Sequence, residues 1–396
     1  MLLKDKITGK AGALLPELIE IRRHIHRHPE LSYAEHETAA YIAGRLGALG
    51  IEYRSGVAGT GIVGFIRGEA PGRGLTVGLR ADMDALPLTE ATGAEYSSGN
   101  NGVMHACGHD AHVAMLLGAG EILNSMRSTF AGTVILVFQP GEEKAPGGAR
   151  LMLETGIFDS FNPDIFIAQH LLPDLPAATV GFHPGPYMAS CDEIYITVKG
   201  KGGHAAQPSQ YTDQIYIASE LVVALKERVA RAGSKEAPTV LGIGRITGMG
   251  ATNVIPETVE IAGTFRTFDE KWRKAAAGLI RETTREIASL RGVEIIVDIV
   301  EGYPVLVNDE KLTRRAMELS RTLLGTERVK ELPVRMSSED FSFFATRYPS
   351  FLYRVGITPD GEEMKKLHTS AFDIDESSMV TGTATMAWLT LSLIAG

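Results

Sequence analysis

Thr133 to Glu143 reads TVILVFQPGEE: a continuous apolar run, a proline-glycine turn, then two adjacent carboxylates. A run this short and this apolar has no polar face to offer water, so it is read as a strand buried on both sides, the kind that parallel sheets contain. Working outward, Gly61 to Ile66 and Leu75 to Leu79 are further β-rich runs, and Ala111 to Met126 carries apolar residues at helical spacing. Between Leu14 and Gly50 a similar spacing is broken at His28-Pro29, where proline disfavours helical geometry in the residue before it, so two helices are expected. Strands alternating with helices predict an α/β class with a mixed, largely parallel sheet.

The pattern changes near Pro184 to Ala189. Beyond it, EIYITVK (Glu193 to Lys199) alternates, with Ile194, Ile196 and Val198 on one face. A helix over Gln214 to Arg231, strands at Thr239 to Ile246 and Thr258 to Thr267, a helix over Glu270 to Leu290 and a strand at Glu294 to Val300 complete a βαββαβ order, the ferredoxin-like α+β unit. From about Gly302 the α/β character returns, with a helix near Lys311 to Leu324 and a strand at Phe351 to Val355. The expected organisation is therefore one discontinuous domain, 1–186 and 301–396, interrupted by an inserted domain, 187–300.

Composition narrows the function. The 396 residues are 44% hydrophobic and carry a net charge of -9 with no run of basic residues, which argues against nucleic acid as a partner. Only two cysteines are present, Cys107 and Cys191, too few for a disulfide framework and in keeping with a cytoplasmic protein. No uncharged apolar stretch is long enough to span a membrane, and MLLKDKITGK lacks the apolar core of a secretory signal.

Groups able to do chemistry gather just beyond predicted strands or at a helix entrance: Asp82 and Asp84 after LTVGL, Cys107 and His109 before the Ala111 helix, Glu142 and Glu143 after TVILVF, and His170 after IFIAQ. In an open α/β sheet, ligands bind beyond the carboxyl ends of strands, so these residues can meet. A thiol at a helix N-terminus is expected to favour the thiolate, the form that binds metal, although a free cysteine is more often simply buried. Adjacent glutamates repel unless a cation relieves them, and one can hold metal while its neighbour moves a proton; a solvated acidic turn countered by Lys144 is the plainer account. His204 sits among glycines in KGKGGHAAQPS, where a hairpin with an incidental histidine competes with a ligand contact. Asn253 and Arg266 offer an amide and a guanidinium suited to a carboxylate, and His368 lies in the polar loop KKLHTSAFD.

Taken together, RADMDALP, MHACGHDAH, QPGEE, GKGGHAAQP, NVIPE, SSEDFSFF and LHTSAFDIDE, in this order along nearly the whole chain, resemble the aminoacylase and hippurate hydrolase family, which also holds hydrolases of auxin conjugates. The resemblance implies a catalytic domain with two divalent metal ions and a smaller lid domain that leaves room for a homodimer. Carried over, Cys107 bridges the metals, His109, Glu143, His170 and His368 complete the ligand set, and Asp82 orients a ligand. Glu142 takes a proton from the attacking water and delivers it to the departing amine; His204 stabilises the oxyanion; Asn253 and Arg266 hold the substrate's carboxylate. The implied activity is cleavage of an N-acetyl or N-benzoyl amino acid, with another small amide conjugate or a dipeptide as the alternative. The donor set suits zinc, cobalt or nickel, with manganese open through availability. Ser209, Gly141 and Lys144 depart from the family's common residues and leave the acyl specificity open. Two rival readings remain: a thiol hydrolase using Cys107 with His109 as base, and a non-catalytic binding protein on the same scaffold.

Overall fold

The computed structural model describes residues 2–233 and 238–395. By internal contacts the chain divides into two bodies: Met1–Gly185, Val307–Pro333 and Asp340–Gly396 form the first, and Pro186–Leu306 with Val334–Glu339 the second. The segment 334–339, expected with the first domain, thus clusters with the second.

In chain order the first body contributes helices α1 (Leu3–Arg27) and α2 (His36–Ala48), strands β1 (Glu52–Val57), β2 (Gly61–Arg67) and β3 (Thr76–Asp82), helix α3 (His109–Asn124), and strands β4 (Thr133–Gln139), β5 (Ile165–Pro176) and β6 (Val180–Phe182). The second body contributes β7 (Asp192–Lys199), α4 (Gln214–Ala232), β8 (Thr239–Thr247), β9 (Thr258–Thr267), α5 (Glu270–Arg291) and β10 (Glu294–Glu301). The returning chain adds α6 (Glu310–Leu324), β11 (Val329–Glu331), β12 (Ser350–Thr358) and α7 (Ser378–Ile394) to the first.

The first body is built on an eight-stranded mixed sheet in the order β1-β2-β4-β3-β5-β12-β6-β11. Its centre, β4-β3-β5-β12, is parallel, and strands there are apolar throughout because both faces are covered. Alternate residues of β5 show this: Ile167 joins the main core while Phe166 meets the Phe158 ring edge-to-face and the Phe344 ring at a tilt. The helix expected to be amphipathic over Ala111 to Met126 is α3, which is instead buried on nearly every face and packs against α1 and α7, because it has no continuous polar stripe. Because β3, β4 and β5 run parallel, their carboxyl ends emerge on one edge, where the chain places its polar residues.

The second body is a four-stranded antiparallel sheet in the order β8-β9-β7-β10. Ile194, Ile196 and Val198 of β7 face inward and pack with Ile217, Leu221 and Leu225 of α4 and Ile280 and Ile287 of α5. Asp213 and Asp269 cap the two helices by accepting hydrogen bonds from free amides in the first turn. This is the βαββαβ arrangement expected from the strand and helix order.

Candidate metal centre

Three chain segments deliver the candidate residues of the first body. β3 ends at Asp82, and the loop after it carries Asp84. The MHACGHDAH segment turns at Gly108, whose φ of +86° would strain any side chain and whose Cβ would lie 2.5 Å from Leu171; that turn sets Cys107 and His109 on either side of the start of α3. β4 ends at Gln139, and the turn beyond it presents Glu142 and Glu143.

His170 requires a correction. It is not beyond a strand but inside β5, which runs on to Pro176. The β3 ladder stops at Arg80 opposite Ala168, so the position of His170 still lies past the end of its neighbour, and its side chain is open to that edge.

Ligand atoms of Cys107, His109 and His170 lie within 4.8 Å of one another, as do those of Cys107, Glu143 and His368, and those of His109, Glu142 and Glu143. Cys107 Sγ is 3.4 Å from His170 Nε2, and His368 Nε2 is 3.1 Å from Glu143 Oε1. His368, expected in a polar loop, keeps half its side chain exposed, has a φ of +59°, and donates its backbone N–H to Ala106 at 2.8 Å. Hydrogen bonding to Cys107 and then to Glu143 lifts its ring to about 10.

The tautomers follow from the second nitrogens. His170 Nδ1 donates to the Leu171 carbonyl at 2.7 Å, leaving Nε2 with its lone pair facing Cys107. Burial, then Arg354, holds this ring well below the usual imidazole range, so it is neutral. His109 Nδ1 lies 2.9 Å from the Asp84 carbonyl and 3.2 Å from its carboxylate. Asp82, expected to orient a ligand, meets Arg80 at 2.6 Å and His112 at 2.6 Å, and its carboxylate is 3.6 Å from His109 Nε2. The group behind the His109 ring is therefore Asp84, which also accepts from Ser32 and from the Glu143 amide.

Burial alone would push His109 down, but Asp82 and Cys107 outweigh it and hold the ring well above the usual range. The expected thiolate is not what the geometry favours without a cation: burial first, then Glu143, pushes the Cys107 thiol up. Such a thiol is a weak nucleophile, which counts against the thiol-hydrolase reading. A dication competes for the positions these protons occupy. One buried atom fits that role directly, because His109 Nε2 has no hydrogen-bond partner, a costly condition unless another ligand takes it, while Glu143 Oε1 faces the His368 ring at 3.1 Å.

In the second body, His204 and Val254 pair in a two-residue ribbon, and Ala205 donates to the Asn253 carbonyl, so His204 and Asn253 are neighbours. The Ala206 amide donates to His204 Nδ1 at 3.1 Å, which leaves the proton on Nε2. Arg266 lies apart from that ribbon, on β9, with its guanidinium on the Met336 carbonyl at 3.0 Å. Ser209 is in an exposed turn. His112, one helical turn past His109, was not singled out by motif reasoning, although helical i, i+3 spacing was the available signal.

A model of peptidase family M20/M25/M40 matches residues 78–391. The chain is 36% identical to thermostable carboxypeptidase 2 of Saccharolobus solfataricus, covering 98% of both chains. It is 38% identical to the N-acetyl-L-cysteine deacetylase of Bacillus subtilis, over 93% of this chain and 86% of that one. A solved Bacillus subtilis structure described as a dinuclear metal binding peptidase from the M20 family superposes with a TM-score of 0.82 at 32% identity, covering 97% of this chain and 99% of that one.

Proposed function

This chain is a hydrolase of peptidase family M20/M25/M40, and from that premise we propose that it cleaves the amide of an N-acyl amino acid with the aid of two divalent cations. The observation that carries the proposal is the pair of ligand groups sharing Cys107, one with His109 and His170 and one with Glu143 and His368, with the buried His109 Nε2 lacking a hydrogen-bond partner. Those five residues would hold the cations, with Cys107 a member of both groups. When bound, such ions polarise the scissile carbonyl and acidify the attacking water.

Glu142 shares a group with His109 and Glu143 and is left over once the five residues above are assigned. It is assigned to take the proton from the water and deliver it to the nitrogen of the departing amine. Asp84 fixes the His109 ring and Asp82 the helix behind it. His204 has an Nε2–H free to donate to the carbonyl oxygen as its charge develops, and Asn253 and Arg266 are assigned to the free carboxylate. Zinc, manganese, cobalt and nickel all remain compatible with the donors.

The relative named N-acetyl-L-cysteine deacetylase supports the N-acyl reading. The carboxypeptidase relative supports a second, in which the acyl group is a peptide. A panel of N-acetyl and N-benzoyl amino acids and dipeptides separates them by release of free amine. The expected result is cleavage of N-acyl amino acids that chelation abolishes and added metal restores. Dipeptide cleavage alone would favour the second reading, and chelator-indifferent cleavage would overturn both.

A further inference from the structure

His112 belongs to none of the ligand groups above, yet it is fully buried between them. Its Nδ1 is 2.6 Å from Asp82 Oδ1, and its Nε2 accepts the Leu171 amide at 3.0 Å. An amide N–H can only donate, so Nε2 holds a lone pair and the proton is on Nδ1. The other oxygen of Asp82 accepts from Arg80 on the same strand. The ligand atoms of Asp82, His109 and His112 also lie within 4.8 Å of one another. With both its nitrogens engaged inside the protein, however, His112 has no lone pair left for a cation.

What His112 does hold is the chain at His170. Its ring is 4.7 Å from the His170 ring and 5.4 Å from that of His109. The amide it accepts belongs to Leu171, and the carbonyl of Leu171 in turn accepts His170 Nδ1. We propose that His112 is a positioning residue for the metal centre: through the Leu171 backbone it fixes the direction of His170 Nε2 toward Cys107, and through Asp82 it anchors that arrangement to the end of β3. This rests on the functional reading, since it supposes that His170 is a ligand. Outer contacts of this kind commonly change metal affinity by roughly 10- to 100-fold.

Two conservative variants separate the bonds. H112N keeps a donor near Nδ1 for Asp82 and removes the acceptor of the Leu171 amide, whereas H112Q places an acceptor near Nε2 and gives up the Asp82 bond. Cobalt(II) is the probe, titrated into the metal-free full chain against a competing chelator, with visible absorption reporting coordination and thermal unfolding of the metal-free protein as control. The expected order of affinity is wild type, then H112Q, then H112N, with H112N at least about tenfold weaker and its cobalt spectrum altered. If H112N matches wild type in affinity and spectrum, or binds better than H112Q, the inference is overturned while the functional reading stands. A merely structural role would lower the metal-free unfolding temperature and leave cobalt binding unchanged. If wild type binds no cobalt, both fall.

Discussion

Gly141 joins Pro140 to the carboxylate pair with a φ of +59°, and a Cβ there would lie 2.2 Å from the ring of Tyr33. Tyr33 cannot easily withdraw, since its hydroxyl donates to the Lys144 carbonyl at 2.6 Å and accepts from Gly147 at 3.0 Å. The departure from the family's common alanine is thus explained by what this chain packs against the turn. Gly141→Ala should destabilise by roughly 1–3 kcal/mol, the usual cost of forcing a methyl into filled space; an unchanged urea midpoint would show that the ring moves aside. At this scale the candidate residues were readable only as a set: thiol, imidazole and paired carboxylates each have a plainer structural account, and the ligand assignment rests on the resemblance of the motifs taken together. The division of labour was not readable. Asp82 and Asp84 are two residues apart, and only the path of the backbone after β3 decides which one meets His109.

Arg22 shows how elements are tied together. From α1 it reaches Asp110 in the first turn of α3, Asp373 and Glu376 in the segment following the His368 loop, and the Tyr96 hydroxyl. One turn along α1, His26 bonds Asp110 at 2.8 Å and approaches Glu90 at 3.3 Å. Burial opposes the charged ring, yet Asp110 and Glu90 raise it from 6.5 to about 9. A raised imidazole contributes stability fully below pH 6.5 and loses it as pH rises through about 9, on the order of 3 kcal/mol for this shift. Glu90 is the opposite case: burial would raise it, but His26 and Thr92 bring it from 4.5 to about 2, so its contribution is lost only in acid, below 4.5. The difference in unfolding free energy between wild type and His26→Gln should therefore shrink as pH rises from 6.5 to 9; a constant difference would contradict the assignment. Periodicity exposed the amphipathic helices and buried strands but not every element. β1 is an exposed, polar edge strand, and α7 is rich in threonine and buried on most sides, so neither shows the alternation that marks a half-buried segment. The extension of β5 past His170 was hidden for a related reason, since a histidine followed by a proline, aspartate and a second proline reads as a loop.

At the scale of the whole molecule, a sheet with a parallel centre and a ferredoxin-like body account for the two kinds of hydropathy pattern along the chain. Nothing in that pattern flags 334–339, a short stretch without periodicity that clusters with the second body through backbone bonds such as Ala189 to Arg335. Among the described residues no helix is long and apolar enough to cross a membrane. Chemistry is concentrated beyond the ends of β3 and β4 and beside His170 within β5, and it depends there on the group that moves the proton. The most direct measurement is turnover of an N-acyl amino acid by Glu142→Gln beside wild type, with bound metal counted in both. Loss of the carboxylate should leave two ions per chain and reduce turnover by about 10²- to 10⁴-fold, the usual contribution of a general acid–base group. Turnover equal to wild type in a fully metal-loaded Glu142→Gln protein would show that Glu142 does not move the proton.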